Sequence, residues 1–440
     1  MSGLTKRHRW LWLIAFALLA AVIILVAGWF SWYKYQASSD SSKALILVVE
    51  KSQPVFADDL FLDSLKQALD RNLTFLASRD PGTIIHFGPE PFTVRQMLRS
   101  QQQLRRFIDK PAAALELNHY LQLHFSVFEA GAAGFQRQGK VLVTGYYVPV
   151  LHGSRHKSSR FCWPLYRRPD DLVNVSLTEF SFWKRWRNSS MLVRWLMHLG
   201  GVKALPTRVF GRLTADSKVV SYFSREEIDY KGALAGQQLE LVWLDDDIGR
   251  FFLHIQGSGR IILDEGGEMM VGYAASNGHS YRSIGAWLIR QGYMEREMVT
   301  MPAIRKFIQD HPEKAADIFT VNQSYVFFRQ LPNREPLGCW QIPLTAGRSI
   351  ATDKSLFPAG GLAYLSTEIP KFSADGSIIS WQPSGRLVLN QDTGGAIKGN
   401  RRVDLFCGTG NEAGHMAGVM KQPGRLFFLA PRLVEDTAVR

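Results

Sequence analysis

Between Phe56 and about Asp109, apolar residues return at helical spacing. Leu60, Leu62, Leu65, Leu69 and Leu73 mark one stripe, and a second runs from Val94 to Phe107 directly behind Thr93. A stripe that recurs every three or four residues predicts amphipathic helices, and a threonine just ahead of one predicts its N-cap. After Lys140 the pattern shortens. Val141-Leu142-Val143, Leu239 to Trp243, Phe251 to Ile255 and Arg260 to Leu263 predict short strands. Asp245-Asp246-Asp247 falls between two of these runs, where a connecting turn needs polar residues, although three adjacent acids also suggest a cation site. Helical spacing returns from Ser283 to about Gln309, and the chain is β-rich again from Ser324 onward. The pattern as a whole is mainly β with a helical N-terminal part.

One segment departs from globular patterning. Trp10 to Tyr33 carries no charge, and Leu11 to Phe30 is long enough to cross a bilayer as a helix. Lys6, Arg7 and Arg9 precede it and Lys34 follows, so the positive-inside rule keeps the N-terminus cytoplasmic and exports the rest. A cleaved signal peptide is the competing reading. Its apolar core is normally shorter, and no strong small-x-small cleavage site follows here. Residues 36–44 read as a polar tether.

At 440 residues, two domains plus appendages are expected. The net charge of +13 calls for an anionic partner, yet no helix-turn-helix, zinc-finger or RNA-binding motif accompanies it, so nucleic acid is not expected. Cys162, Cys339 and Cys407 are too scattered for a metal site and read as core residues. Residues 182–205, with Phe182, Trp183, Trp186 and Trp195 among Lys184, Arg185, Arg187 and Arg194, allow either a helix lying on an anionic membrane or an ordinary surface helix.

The candidate chemistry lies near the end of the chain. Asp392-Thr393-Gly394-Gly395-Ala396-Ile397-Lys398-Gly399 follows the apolar run Leu387-Val388-Leu389, which puts a carboxylate where a strand runs out. Gly394 and Gly395 let the backbone approach a ligand, because a residue without Cβ can take positive φ and leaves room above the chain. The same pattern also fits a buried aspartate that only closes a turn. Asp404 and Asp353 each sit at the edge of a neighbouring apolar segment. An aspartic protease needs two such carboxylates sharing a proton, and Asp-Thr-Gly occurs once.

These three aspartates resemble the three-aspartate domain of the membrane-bound lytic murein transglycosylase A family. Thr144 to Val150, Pro164 to Pro169, Ser224 to Ile228, Gln256 to Gly259, Asn277 to Gly285 and Asn411 to Gly418 follow the family's order, so the resemblance covers roughly residues 60 to 430. It implies a double-psi β-barrel holding the aspartates, assembled with the helical part, and a second β domain inserted into it. The expected layout is a cytoplasmic tail at 1–9, a transmembrane anchor at 10–33, a linker at 34–44, an outer domain of 45–140 with 331–436, and a glycan-binding insert of 141–330.

The resemblance further implies an exo-acting lytic transglycosylase on the periplasmic side of the inner membrane. Such an enzyme cuts the β-1,4 bond between N-acetylmuramic acid and N-acetylglucosamine in peptidoglycan and leaves a 1,6-anhydro end. A non-catalytic peptidoglycan-binding protein of the same fold is the alternative. Asp392 takes the role of acid and then base. Asp404 and Asp353 support it as neighbouring carboxylates, and Tyr146, Tyr147, Gln256, Ser258, Gly394, Gly395 and Lys398 bind sugar. His279 reads as ordering the domain interface, and His415, like Lys398, as either offsetting charge in the groove or packing. No metal or organic cofactor is implied. The partners implied are peptidoglycan strands, the membrane, and cell-wall synthesis or remodelling proteins.

Overall fold

In a computed structural model the described residues are 41–131, 139–182, 208–332, 334–395 and 397–432. The predicted anchor at 10–33 and nearly all of the basic, tryptophan-rich segment lie outside them. Among the described residues no helix is long and apolar enough to cross a membrane. The chain divides into two compact units, residues 1–40 with 174–209, and residues 41–173 with 210–440. Of the first, the described part is short and includes the 3-10 turn Leu177–Glu179. Everything below concerns the second.

Six strands of this unit close a barrel. In ring order they are Val141–Val148, Arg402–Thr409, Ser349–Ala351, Ile378–Asp392, Leu362–Phe372 and Lys421–Pro431. Pairing of Lys421–Gly424 with Val141–Thr144 joins the last strand to the first. Two neighbouring pairs are parallel, Ser349–Ala351 with the end of Ile378–Asp392, and Arg402–Thr409 with Val141–Val148. Alternation along each strand divides the side chains between two cores. Val388, Leu426 and Phe428 face one that also holds Val143, Ile350, Val403 and Leu405. Leu387, Leu389, Phe427 and Leu429 face the other, shared with Leu65, Leu69, Leu104 and Phe107 of the N-terminal helices.

Those helices are Leu62–Ala77 and Val94–Phe107. Thr93 caps the second as expected: its hydroxyl accepts the Gln96 amide at 3.2 Å, and the Gln96 side chain accepts the Thr93 amide at 2.8 Å. A cap of this kind contributes about 1 kcal/mol. Buried polar groups fix the helices to the barrel. Asn72 and Gln101 both donate to the Gly360 carbonyl, and Arg348, fully buried, makes two bonds of 2.6 and 2.9 Å to Asp58.

The chain leaves the barrel after Val148 and re-enters it at Ser349. Between them lies a six-stranded sheet in the order Val326–Gln330, Glu268–Ser276, Ser258–Leu263, Val150–Ser154, Glu240–Leu244 and Trp163–Tyr166. One predicted strand is wrong. Phe251 to Ile255 belongs to the helix Asp247–Gln256, which ends at Gly257 in the left-handed region with φ 79°. An unbroken apolar run suits a buried helix as well as a buried strand; here Asp247 bonds Arg250 one turn on, and the glycine ends the helix.

The triple aspartate is therefore a strand-to-helix junction. Asp245 pairs with Arg160, Asp246 with Arg305 and Asp247 with Arg250. Among the described residues no cluster of acids, histidines or cysteines forms a metal site. Deeper in the insert, Asp229 accepts Arg250 at 2.6 Å and Arg225 at 3.2 Å, and the side chains of all three are at most 2 % exposed. His279 bonds the Tyr222 carbonyl, so it ties two stretches of the insert together rather than insert to barrel. All three cysteines are free thiols, and Cys339 is exposed rather than in a core.

Candidate active site

Asp392 is the last residue of its strand. A bulge opposite Ile350–Ala351 skips Gln391 and sets Asp392 level with Ala351. Ala351 is level with Asp404 on its other side, and Asp404 with Thr144. Asp392, Ala351, Asp404 and Thr144 thus form one lateral row across four strands, with steps of about 5 Å, and laterally paired residues share a face. The small Ala351 leaves space between the two acids. Bulges re-aim side chains in this way beside many active sites.

The two oxygens of Asp392 are not equivalent. Oδ1 accepts the amides of Thr393 at 2.8 Å and Cys339 at 2.9 Å, so Oδ2 is the oxygen left for a proton. Burial pushes the carboxyl up to about 6, against the pull of those two amides and of Tyr146; the charge of Asp404 adds to the rise. No guanidinium or ammonium group bonds Asp392 among the described residues. It is a half-buried acid without a cation to hold it ionised.

Asp404 differs from it. Burial raises its pKa too, but Arg402 at 3.4 Å and the Thr144 hydroxyl both bond its Oδ1 and oppose the rise. Asp353 has both oxygens occupied, Oδ1 by the amide and hydroxyl of Ser355 and Oδ2 by the Gly399 amide at 2.9 Å. It clasps the end of the loop that follows Asp392.

The remaining predicted residues divide between site and scaffold. Tyr146 is on the same strand face as Thr144; its hydroxyl is buried and lies against Asp392, whose carboxyl it pulls down, with Asp404 within electrostatic reach. Tyr147 points to the opposite face, against the helix Asn411–Val419: a Cβ at Gly414 would come within 2.6 Å of its ring. Gln256 accepts the Tyr147 amide at 3.1 Å and so links the insert to the barrel strand. Ser258 begins the strand Ser258–Leu263 and makes no side-chain hydrogen bond among the described residues.

Neither Gly394 nor Gly395 uses positive φ; Gly399 does, at 84°. Gly394 is needed because a Cβ there would be 2.8 Å from Ile397, while Gly395 borders open space. Lys398 is exposed and makes no ion pair among the described residues. His415 bonds the Gly376 carbonyl and packs on Phe372, which makes it a packing residue.

Sequence patterns missed the return crossing from insert to barrel. Cys339 supplies a main-chain donor to Asp392, and Trp340 beside it is half-buried with its ring 6.2 Å from Phe75. A signal was present in Gly338, where a Cβ would lie 2.2 Å from the Gln391 carbonyl oxygen. Only glycine lets this segment run so close to the Asp392 strand.

Barrel, inserted sheet and acid together define a class: barrel-and-insert proteins with one carboxyl group whose proton is retained into the near-neutral range. Residues 142–329 match the MltA specific insert domain, and residues 348–430 match the 3D domain. The chain is 32% identical over 298 residues to the membrane-bound lytic murein transglycosylase A of Escherichia coli K12, covering 67% of each protein. It is 31% identical to the protein of the same name from Vibrio cholerae, covering 69% of each. The crystal structure of a membrane-bound lytic murein transglycosylase from Agrobacterium tumefaciens superposes with a TM-score of 0.68 at 26% identity, over 88% of this chain and 98% of that one. The chain belongs to the membrane-bound lytic murein transglycosylase A family.

Proposed function

We propose that this protein cuts peptidoglycan strands by lytic transglycosylation, with Asp392 as acid and then base. The observation that carries the reading is the state of Asp392: half-buried, bonded by backbone amides at Oδ1 and by no cation among the described residues, and protonated up to about pH 6. From Oδ2 it gives its proton to the departing N-acetylglucosamine O4. The carboxylate formed then takes the proton of the muramoyl C6 hydroxyl as that oxygen attacks C1. The C1–O4 bond breaks, the C1–O6 bond forms and no water is consumed. Because the nucleophile belongs to the sugar being cut, proximity replaces the second carboxylate that positions water in a hydrolase.

Asp404, engaged by Arg402 and Thr144, supports the acid through its charge rather than by activating water. Tyr146 offers its hydroxyl to Asp392 as the carboxylate develops. Asp353 holds the following loop in place, and the open space at Gly395 admits the sugar. The two parallel strand pairs fit a double-psi barrel; because the strand Val141–Val148 belongs to it, the outer domain is 45–148 with 331–436, and the glycan-binding insert begins after Val148 rather than at 141. Relatives named membrane-bound, together with the uncharged segment 10–33, support an inner-membrane anchor with the catalytic part in the periplasm.

Mass spectrometry of purified peptidoglycan digested by the full chain tests this. Products ending in 1,6-anhydromuramic acid are expected, and Asp392→Ala should abolish them. Reducing ends instead would make water the nucleophile and refute the one-acid mechanism.

A further inference from the structure

Two N-terminal helices present an outer face without a protein partner among the described residues. On Val94–Phe107, Arg95, Arg99 and Arg106 fall at intervals of four and seven, so they share one side of the helix; all three are exposed and none makes an ion pair among the described residues. The next helix, Ala113–His124, turns Leu115, His119 and Leu123 outward at intervals of four, with Leu115 91 % and Leu123 54 % exposed. Between the helices lies a hollow of about 390 Å³. Arg106, Lys110, His119 and His124 line it, Phe107 and Tyr120 stack at 4.0 Å in its wall, and Glu116 is the one acid among the described residues around it.

Charge alone does not single this face out, and scattered exposed leucines are ordinary. Here two leucines on one helix face flank a cationic hollow. That combination suits a lipid interface, where apolar side chains enter the acyl boundary and cations meet the headgroups.

The path of the chain supplies the partner. The strand Leu45–Leu47 pairs with the strand Phe125–Ala130, which begins where Ala113–His124 ends. Arg432 bonds the His124 carbonyl through its amide and Glu50 through its side chain, so the turn Glu50–Ser52, beside exposed Leu47 and Val49, adjoins the hollow. Only residues 34–40 lie between the uncharged segment 10–33 and Ser41. At full extension they reach about 25 Å, so an anchored chain holds this end of the barrel near the bilayer.

We propose that this face docks on the anionic phospholipid surface of the membrane in which the chain is anchored, with a headgroup phosphate in the hollow and Leu115 and Leu123 in the acyl boundary. The proposal rests on the anchor reading above and adds a fixed posture to it. Phe107 and Leu117 share a core with Leu387 and Leu389 of the Asp392 strand, so docking sets how the acid is presented above the membrane.

Hydrogen–deuterium exchange on the full chain in nanodiscs tests this, comparing discs of phosphatidylcholine with discs rich in phosphatidylglycerol. Amides of residues 94–124 are expected to exchange about tenfold more slowly on the anionic discs. About 0.5 M salt should remove the difference. Arg95→Gln/Arg99→Gln/Arg106→Gln and, separately, Leu115→Ser/Leu123→Ser should each lose the slowing while unfolding in detergent at the parent's temperature, which shows that they fold. Equal exchange on the two kinds of disc, or slowing that survives the arginine variant, overturns the proposal. Slowing that appears in detergent and grows with protein concentration would make the face an interface between copies and overturn it likewise. A full chain that stays with neither disc defeats the anchor reading beneath it.

Discussion

The insert and the barrel each withdraw a carboxylate from most of its water, and they treat it in opposite ways. In the insert, Asp229 is enclosed by Arg225 and Arg250, with Asp247 completing the cluster, so its charge is balanced on every side. In the barrel, Asp392 meets two amides and a neighbouring acid but no cation. The first arrangement locks an ion in place, which serves structure. The second leaves the ion disfavoured, so the group holds a proton it can give away. Burial alone says little about role; whether the buried charge is neutralised separates the two.

Substitution of each acid should give opposite results. Asp392→Asn should cut the rate of anhydro-end formation by at least about a thousandfold, since the acid and base steps both depend on it, with folding intact by circular dichroism. Asp229→Asn takes from buried Arg225 its only carboxylate among the described residues and leaves Arg250 with Asp247 alone, and should cost about 3–5 kcal/mol in denaturant unfolding at pH 7. If Asp229→Asn proved as stable as the parent, the contrast would fail.

The contrast sharpens with pH. The folded-state value of about 6 for Asp392 exceeds the ordinary carboxylate value, so its protonation favours the folded state; that contribution is full below about pH 4 and lost as pH rises through 6. Asp392→Asn should therefore be more stable than the parent above pH 6, by about 3 kcal/mol at most, and no different below pH 4, as thermal unfolding across that range would show. Catalysis should follow the same group, with kcat/KM falling above about pH 6 as the acid ionises. The smallest effect expected is from Asp404→Asn: removing a negative neighbour makes Asp392 a stronger acid, so the alkaline limb moves to lower pH. A limb that stays in place would remove Asp404 from the acid's surroundings.

Local signals carried well from sequence to structure. Thr93 announced a helix whose cap it forms, and the run Leu387 to Leu389 announced a strand that ends at Asp392. Signals that depend on distant partners did not. Nothing around Phe251 to Ile255 distinguishes strand from helix until Gly257 and the Asp247–Arg250 pair are weighed together. Asp229 and Arg250 belong to different elements, so their pairing follows from packing rather than pattern. The Cys339 donor is a main-chain amide, which any residue carries and no sequence pattern reveals. Asp353 is expected beside the acid and Gln256 on the sugar, yet Asp353 bonds the following loop and Gln256 Oε1 accepts a barrel-strand amide.

The surroundings of Asp392 come from widely separated parts of the chain: Tyr146 from the way out to the insert, Cys339 from the way back, and Asp404 from a strand made later still. The strand that shuts the barrel, Lys421–Pro431, is made after all of them. A polypeptide interrupted before residue 402 contains Asp392 but cannot build the enclosure that makes it an acid near neutral pH. Order of synthesis thus acts as a safety catch, and a broken copy of this wall-cutting protein is an unarmed one.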